Sequence, residues 1–373
     1  MTMPVTNKHL KIWYVVAAMI TTYGNFFAQN SPAFRNTSLD IVTDMASIAL
    51  GESFVANRNS SSSFFENPSA LPDDRETRLF FDYRSQAWSP ITDNMKYFSF
   101  GITNSNSLGN FGFSYNQYTS GDIVTTAEPI KQTTNDNNRT FILSYSNNLF
   151  ENLRLGFSAK LFNRSLTSAG MNYSVTSNDA FLFDLGILYG RKGFFNSSST
   201  RDNISFGMSF QNFGTKFTIE STTLLLTEKE NVRLPRYLRL GFAYELNTVP
   251  SRSSGATLDF LLTGEYKSLL NPAEQEKDDV DYWSAGIEAM LFKIISLRLG
   301  GVSSPEYNIL FDRAKFNLRY GIGLNFPLAV LGLGYPLYIK FDYASIPINH
   351  ISIEGAKNSL YAFGVSLVYN SKM

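Results

Sequence analysis

From Leu79 onward, apolar side chains recur at every second position. Phe111, Phe113 and Tyr115 alternate with Gly112, Ser114 and Asn116, and Leu153, Leu155, Phe157, Ala159 and Leu161 alternate with Arg154, Gly156, Ser158 and Lys160. The same period runs through Ile204–Phe210, Phe316–Phe326 and Tyr361–Tyr369. A period of two is the mark of a β-strand with one apolar face. Fourteen strand cores follow from it: 79–88, 96–104, 109–118, 140–147, 152–165, 180–190, 203–213, 236–246, 257–267, 281–291, 294–303, 315–326, 336–345 and 359–370. Each is about ten residues long, the length a tilted strand needs to cross a bilayer.

A soluble β-sandwich also alternates apolar and polar faces. Three details favour a membrane barrel instead. The apolar face is aromatic towards its ends, where rings sit at a lipid–water boundary. The opposite face is Gly, Ser, Asn and isolated charge, not the Lys/Glu cover of a soluble surface. Connections also alternate in length: Ser120–Arg139 and Thr215–Pro235 are long, whereas Ser105–Leu108, Asn148–Glu151 and Phe292-Lys293 are short. Lipid offers no partner to an unpaired backbone N–H, so a sheet that spans it must close. The expected fold is all-β, a closed antiparallel transmembrane β-barrel of about 14 strands, preceded by an N-terminal plug or hatch segment.

The first 78 residues read differently. Lys8 and Lys11 precede the apolar run Ile12–Ile20, and polar and small residues follow to Ala28. This is the layout of a secretory signal peptide over 1–28, with a run shorter than the roughly 20 residues a spanning helix needs. Residues 29–78 form the expected plug segment. Asp40–Leu50 has helical spacing, and the Ser/Asn-rich stretch Asn57–Ser63 leads into Phe64-Phe65-Glu66-Asn67-Pro68. Residues 79–373 then make the barrel, and its place is the outer membrane of a Gram-negative bacterium.

Composition narrows the chemistry. There is no Cys among the 373 residues and only two His, His9 and His350. Disulfides, thiolate metal sites and cysteine catalysis are excluded, and histidine-based catalysis or zinc binding is disfavoured. Lys+Arg and Asp+Glu balance at 32 each, which gives no reason to expect a nucleic-acid partner. No G-x-S-x-G elbow occurs. Gly321-x-Gly323 and Gly332-x-Gly334 lack phosphate-loop spacing and read as inward-facing strand glycines that leave room for a plug. Asp278, Asp279 and Asp281 form an acidic cluster that offers carboxylate oxygens for loose Ca²⁺ binding but lacks Ca²⁺-loop spacing, and a solvated loop is the favoured reading. No cofactor and no metal is expected. By register the lumen receives Arg154, Lys160, Arg239, Glu245, Arg298, Arg319, Lys340 and Asp342, as wall ion pairs or as contacts to the plug.

Short motifs add a resemblance. Ala49-Leu50-Gly51 followed by Asn67-Pro68-Ser69-Ala70-Leu71 resembles the start of FadL-type outer-membrane proteins, especially the PorV/PorQ family. Gln211-Asn212-Phe213-Gly214-Thr215-Lys216 with Leu234-Pro235-Arg236-Tyr237-Leu238-Arg239-Leu240-Gly241 resembles that family's mid-chain pair, and Phe341-Asp342-Tyr343-Ala344 its "D-Y-A". The chain departs from the pattern at Gly51-Glu52-Ser53, Asn57-Arg58-Asn59 and Ser69. The resemblance implies a plug motif at Gly51, Asn67 and Pro68 and a loop motif at Asn212, Gly214 and Pro235. It also implies no enzymatic activity and a part in type IX protein secretion, binding cargo or its signal domain through the outer loops. Its alternative implication is a FadL-like transporter of hydrophobic small molecules. The expected partners are outer-membrane lipid, secreted cargo and secretion components, or hydrophobic small molecules.

Overall fold

A computed structural model describes residues 39, 41–42, 44–58, 63–72, 75–85, 96–120, 123–127, 130–169, 173–193, 197, 199–222, 227–232, 234–248, 257–270, 281–303, 317–332, 336–347 and 359–370. Its wall has fourteen strands: β1 (Glu76–Ser85), β2 (Lys96–Asn106), β3 (Gly109–Thr119), β5 (Ile130–Phe150), β6 (Leu153–Ala169), β8 (Ala180–Lys192), β9 (Thr200–Gly214), β12 (Tyr237–Thr248), β13 (Leu258–Leu269), β14 (Asp281–Leu291), β15 (Ile295–Ser303), β16 (Asn317–Pro327), β17 (Leu337–Pro347) and β18 (Ser359–Asn370). Each pairs antiparallel with the next. β1 pairs β18 from Glu76↔Asn370 to Arg84↔Ala362, which closes the ring. Closure leaves no free margin within the hydrocarbon.

The two wall faces differ in chemistry. On β18, Tyr361, Phe363, Val365, Leu367 and Tyr369 are exposed, while Ala362, Gly364, Ser366 and Val368 between them are buried. The outward set continues around the ring through Leu79, Phe100, Leu143, Phe183, Phe206, Leu262, Leu299 and Leu318. A continuous outer surface of this kind is stable only against lipid. The chain is therefore an outer-membrane barrel. With an even strand count both ends of the wall share one rim, the periplasmic one in such proteins.

Four further strands stand on the opposite, outer rim: β4 (Ile123–Ala127), β7 (Tyr173–Ser177), β10 (Phe217–Thr222) and β11 (Thr227–Val232). They correct the expectation that Ser120–Arg139 and Thr215–Pro235 are loops. β5 and β6 are also longer than expected, and β4 and β7 pair with their outer ends. β10 then joins β7 to β11. These segments are rich in Thr, with Val and Ile beside it, which suit a pleated surface, but they lack the apolar alternation that lipid imposes. β1 begins at Glu76, not Leu79. Glu76 and Arg78 point into the lumen, where an ion pair between them is buried, so the strand need not start on an apolar residue. The expected helix over Asp40–Leu50 shortens to α1 (Met45–Ala49), because the Asp44 side chain accepts the Ser47 N–H at 2.7 Å and caps the first turn. Residues 1–28, assigned to the signal peptide, and His9 and His350 lie outside the described residues.

Candidate functional site: a plug seated on the inner wall

The segment before β1 crosses the barrel interior. Val42, Met45, Ile48 and Ala49 pack with Ala344, Ile346 and Ala362 of the wall. Leu50 lies against Gly286 and Gly300, an in-register pair on β14 and β15. Val55 and Ala56 meet Gly207 and Gly241, paired across β9 and β12. Pro68 and Ser69 lie on Gly156 and Gly186, paired across β6 and β8. Gly112, Gly321 and Gly364 face Leu71, Ala49 and Met45. The inner wall thus carries glycines along the course of the plug, and plug backbone and side chains fill the space their missing side chains leave. A Cβ on Gly286 would stand 2.6 Å from the Leu50 carbonyl oxygen and 2.7 Å from its Cα. Gly321 faces inward as expected. Gly332 corrects that expectation: it ends the 3₁₀ turn Leu328–Leu331 between β16 and β17, left-handed at φ 78° with open space around it. Gly334 lies outside the described residues.

The plug-motif residues perform local work. Gly51 is left-handed at φ 74° and backs onto Gly301, a conformation and approach that favour glycine. Asn67 caps the 3₁₀ turn Pro68–Ala70; its Oδ1 accepts from Ser69 N at 3.1 Å and Ser69 Oγ at 2.6 Å. Its Nδ2 donates to Val55 O at 2.7 Å and to Ile187 O on β8 at 3.2 Å. One amide therefore ties two turns of plug to the wall. Pro68 occupies the first position of that turn, where its missing N–H costs nothing.

Charged wall residues clamp the same segment. Arg154 donates to Leu71 O at 2.7 Å. Arg319 pairs with Glu52 at 2.5 Å. Arg239 pairs through Nε with Glu265 at 2.5 Å, approaches Glu66 at 3.5 Å and donates to Glu52 O at 3.1 Å. Glu265 accepts the Phe54 and Val55 N–H groups at 3.0 and 2.9 Å, and Ser47 donates to Glu66 at 2.6 Å. Burial pushes both plug carboxyls upward, with opposite net results. At Glu52 the positive charges of Arg319, Arg84 and Lys267 win and hold the carboxyl at about 2. At Glu66 burial, with Glu265 competing for the same guanidinium, pushes it up to about 8. Glu265 holds the direct pairing and two backbone donors, so Glu66 is the member that keeps a proton.

The loop motif forms a second tie. Asn212 sits in a bulge, where β9 sets two residues against Asp184 of β8, and is left-handed at φ 63°, a conformation Asn tolerates. Its Oδ1 accepts from Lys160 at 2.9 Å and its Nδ2 donates to Pro235 O at 2.9 Å. Its N–H donates to Asp184 at 2.8 Å, and Asp184 pairs with Lys160 at 2.6 Å. Gly214 ends β9 against the Phe181 carbonyl. Below the plug, Arg298 bridges Glu288 and Asp342, the latter at 2.5 Å. Lys340 lies one inward position from Asp342, towards the periplasmic rim. Glu245 is half-buried on β12. Asp281 is an exposed strand terminus; Asp278 and Asp279 lie outside the described residues.

The acidic partners Glu52, Glu66, Asp184, Glu265 and Glu288 were not singled out from sequence. Three of them were accessible, since Asp184, Glu265 and Glu288 fall on inward positions of expected strands. Between plug and wall a cleft is lined by Leu39, Ile41, Val42, Phe65 and Glu66 of the plug and by Ile142, Lys160, Gln211, Arg239 and Lys267 of the wall. At about 20 Å³ it has room for one water.

No family model matches the chain, and no curated protein does. Solved structures similar to it include the Pseudomonas putida toluene transporter TodX, 9% identical with TM-score 0.46 over 92% of this chain and 100% of that one. The Ralstonia pickettii toluene transporter TbuX is 11% identical with TM-score 0.42, over 87% and 97%. A Pseudomonas aeruginosa FadL homologue is 12% identical with TM-score 0.42, over 88% and 99%. Likeness at this level carries no inference about activity; the barrel, its outer belt and its plug stand on their own pairing and contacts.

Proposed function

We propose that this chain is a non-enzymatic outer-membrane passage protein for hydrophobic small molecules, with the N-terminal plug controlling entry. The observation that supports it is the cleft between plug and wall, whose lining joins the apolar Leu39, Ile41, Val42, Phe65 and Ile142 to the polar Glu66, Lys160, Gln211, Arg239 and Lys267. Such a lining suits a molecule with an apolar body and a polar end. The cleft admits one water, so passage requires the plug or its neighbours to shift. The test is uptake of a labelled long-chain carboxylate and of a labelled aromatic hydrocarbon by cells with and without the gene. Equal uptake of both compounds by the two strains overturns the reading.

A second reading is a PorV-like role in type IX secretion, engaging cargo or secretion components at the outer rim. What favours it is that β4 and β11 are each paired on one side only among the described residues. A free strand edge can accept a strand from a partner. Loss of signal-bearing proteins from the secreted fraction of a deletion strain, with uptake unchanged, would select this reading over the first.

A further inference from the structure

The plug's glycine contacts concentrate away from β1 and β2, and the wall there has a different character. Every inward residue of β2 from Tyr97 to Ser105, and of β3 from Asn110 to Tyr118, is Ser, Thr, Asn, Gly or Tyr. Seven side-chain polar atoms on this wall are buried without a hydrogen-bond partner: Asp82 Oδ2, the Tyr97 hydroxyl, Ser99 Oγ, Thr103 Oγ1, Ser114 Oγ and both amide atoms of Asn116. None of these residues is more than 4% exposed. They are not scattered, since Asp82, Ser99 and Asn116 form one cross-strand row. Left dry, so many orphaned groups would cost as much as the whole net stability of a domain.

The stripe continues to the periplasmic rim. There it opens into a recess of about 410 Å³ bounded by Arg75, Ser105, Asn110 and Asn148. One apolar layer interrupts it. Phe80 lays its ring over Gly101, its cross-strand neighbour, and packs with Phe64, Leu71 and Ile142. Thr103 lies below this layer, Ser114 lies in its row, and Ser99, Asn116 and Asp82 lie above it.

We infer that the β1–β3 wall carries a second, polar path past the plug, for water and small hydrophilic solutes, and that Phe80 with Phe64 is its hydrophobic constriction. The orphaned donors and acceptors supply the hydrogen bonds a permeating molecule needs, and a dry ring layer closes such a path by excluding water. The path shares Ile142 with the cleft proposed for hydrophobic molecules but does not depend on that reading.

The test is conductance of the purified barrel, plug included, in planar lipid bilayers with KCl. Phe80→Ala should raise conductance by roughly tenfold or more over the parent. Adding Ser99→Val and Asn116→Leu should return it towards the parent value. Phe162→Ala, which removes an equally buried ring on β6, should leave it unchanged. The inference is overturned if the folded Phe80→Ala barrel conducts like the parent, if Phe162→Ala conducts as well as Phe80→Ala, or if the two polar-to-apolar changes do not lower the conductance. Folding is checked by heat-dependent gel migration. Should Phe80→Ala not fold, osmotic water permeability of vesicles carrying the Ser99→Val/Asn116→Leu barrel decides. A fall of about twofold or more supports the path, and an unchanged rate refutes it.

Discussion

A methyl group on Gly286 tests whether the plug is seated on the wall. In Gly286→Ala the new Cβ would stand 2.6 Å from the Leu50 carbonyl oxygen, 2.7 Å from its Cα and 2.7 Å from its Cβ. Ordinary contact begins at 3.4 Å, so the overlap is about 0.8 Å and falls mostly on backbone. The strand cannot yield, because Gly286 is held in register with Gly300 and Thr263. The plug must move, at a cost of about 1–3 kcal/mol, equivalent to a roughly 5- to 150-fold rise in the plug's unseated population. Hydrogen exchange of residues 45–56 reads that population directly, since protection scales with the opening free energy. Gly112→Ala is the control. Its nearest contact is Leu71 Cδ2 at 2.8 Å, the end of a flexible side chain that can rotate away, so exchange should rise far less. Equal protection in the parent and Gly286→Ala would refute the seating of Leu50 between β14 and β15.

Three further outcomes follow from the same geometry. Glu66 moves from 4.5 to about 8 on folding, so its contribution is fully present below about 4.5, declines as pH rises and is lost above about 8. Glu66→Gln should remove that slope from the urea midpoint between pH 5 and 9, and a parent midpoint that rises over this range would contradict the assignment of the proton. Asn212→Ala should cost about 1–3 kcal/mol through the lost ties to Lys160 and Pro235 and the left-handed backbone. Asn212→Gly should recover the backbone share, as read by equilibrium unfolding in detergent. Leu299→Arg, on the outward face at 52% exposure, should cost about 2–4 kcal/mol near the bilayer midplane. A near-neutral result in lipid would mean that this face is not in hydrocarbon.

The wall was legible because lipid makes the period of two compulsory. Each of the fourteen expected segments overlaps a barrel strand, and even the slip at β1, from 79–88 to 76–85, keeps Leu79 and Phe81 outward. The outer-rim strands were not legible. They pair in water, where Thr, Asn and Lys serve as well as Leu, so Thr227–Val232 carries no alternating signal. The plug was legible only as a departure from strand pattern. Asn67 and Gly51 stood out by motif, but nothing in the sequence links Leu50 to Gly286, more than two hundred residues away. A glycine records that something approaches without saying what. Acidic partners were missed for a related reason. Glu265 and Glu288 sit on inward positions, yet a single carboxylate in a strand looks the same whether it meets an arginine or water.

The seam between β1 and β18 has a consequence for biogenesis. The segment that ends inside the cylinder is the part of the chain immediately before the first stave, and its seat is assembled from staves as late as β18. Its seat is complete only once Glu76 has met Asn370, and the buried arginine clamps then hold it there. A segment in position before the hoop is sealed would act as the former around which the wall is wound. Errors in this segment should show up as failures of assembly in the cell before they show up as changes in traffic through the finished protein.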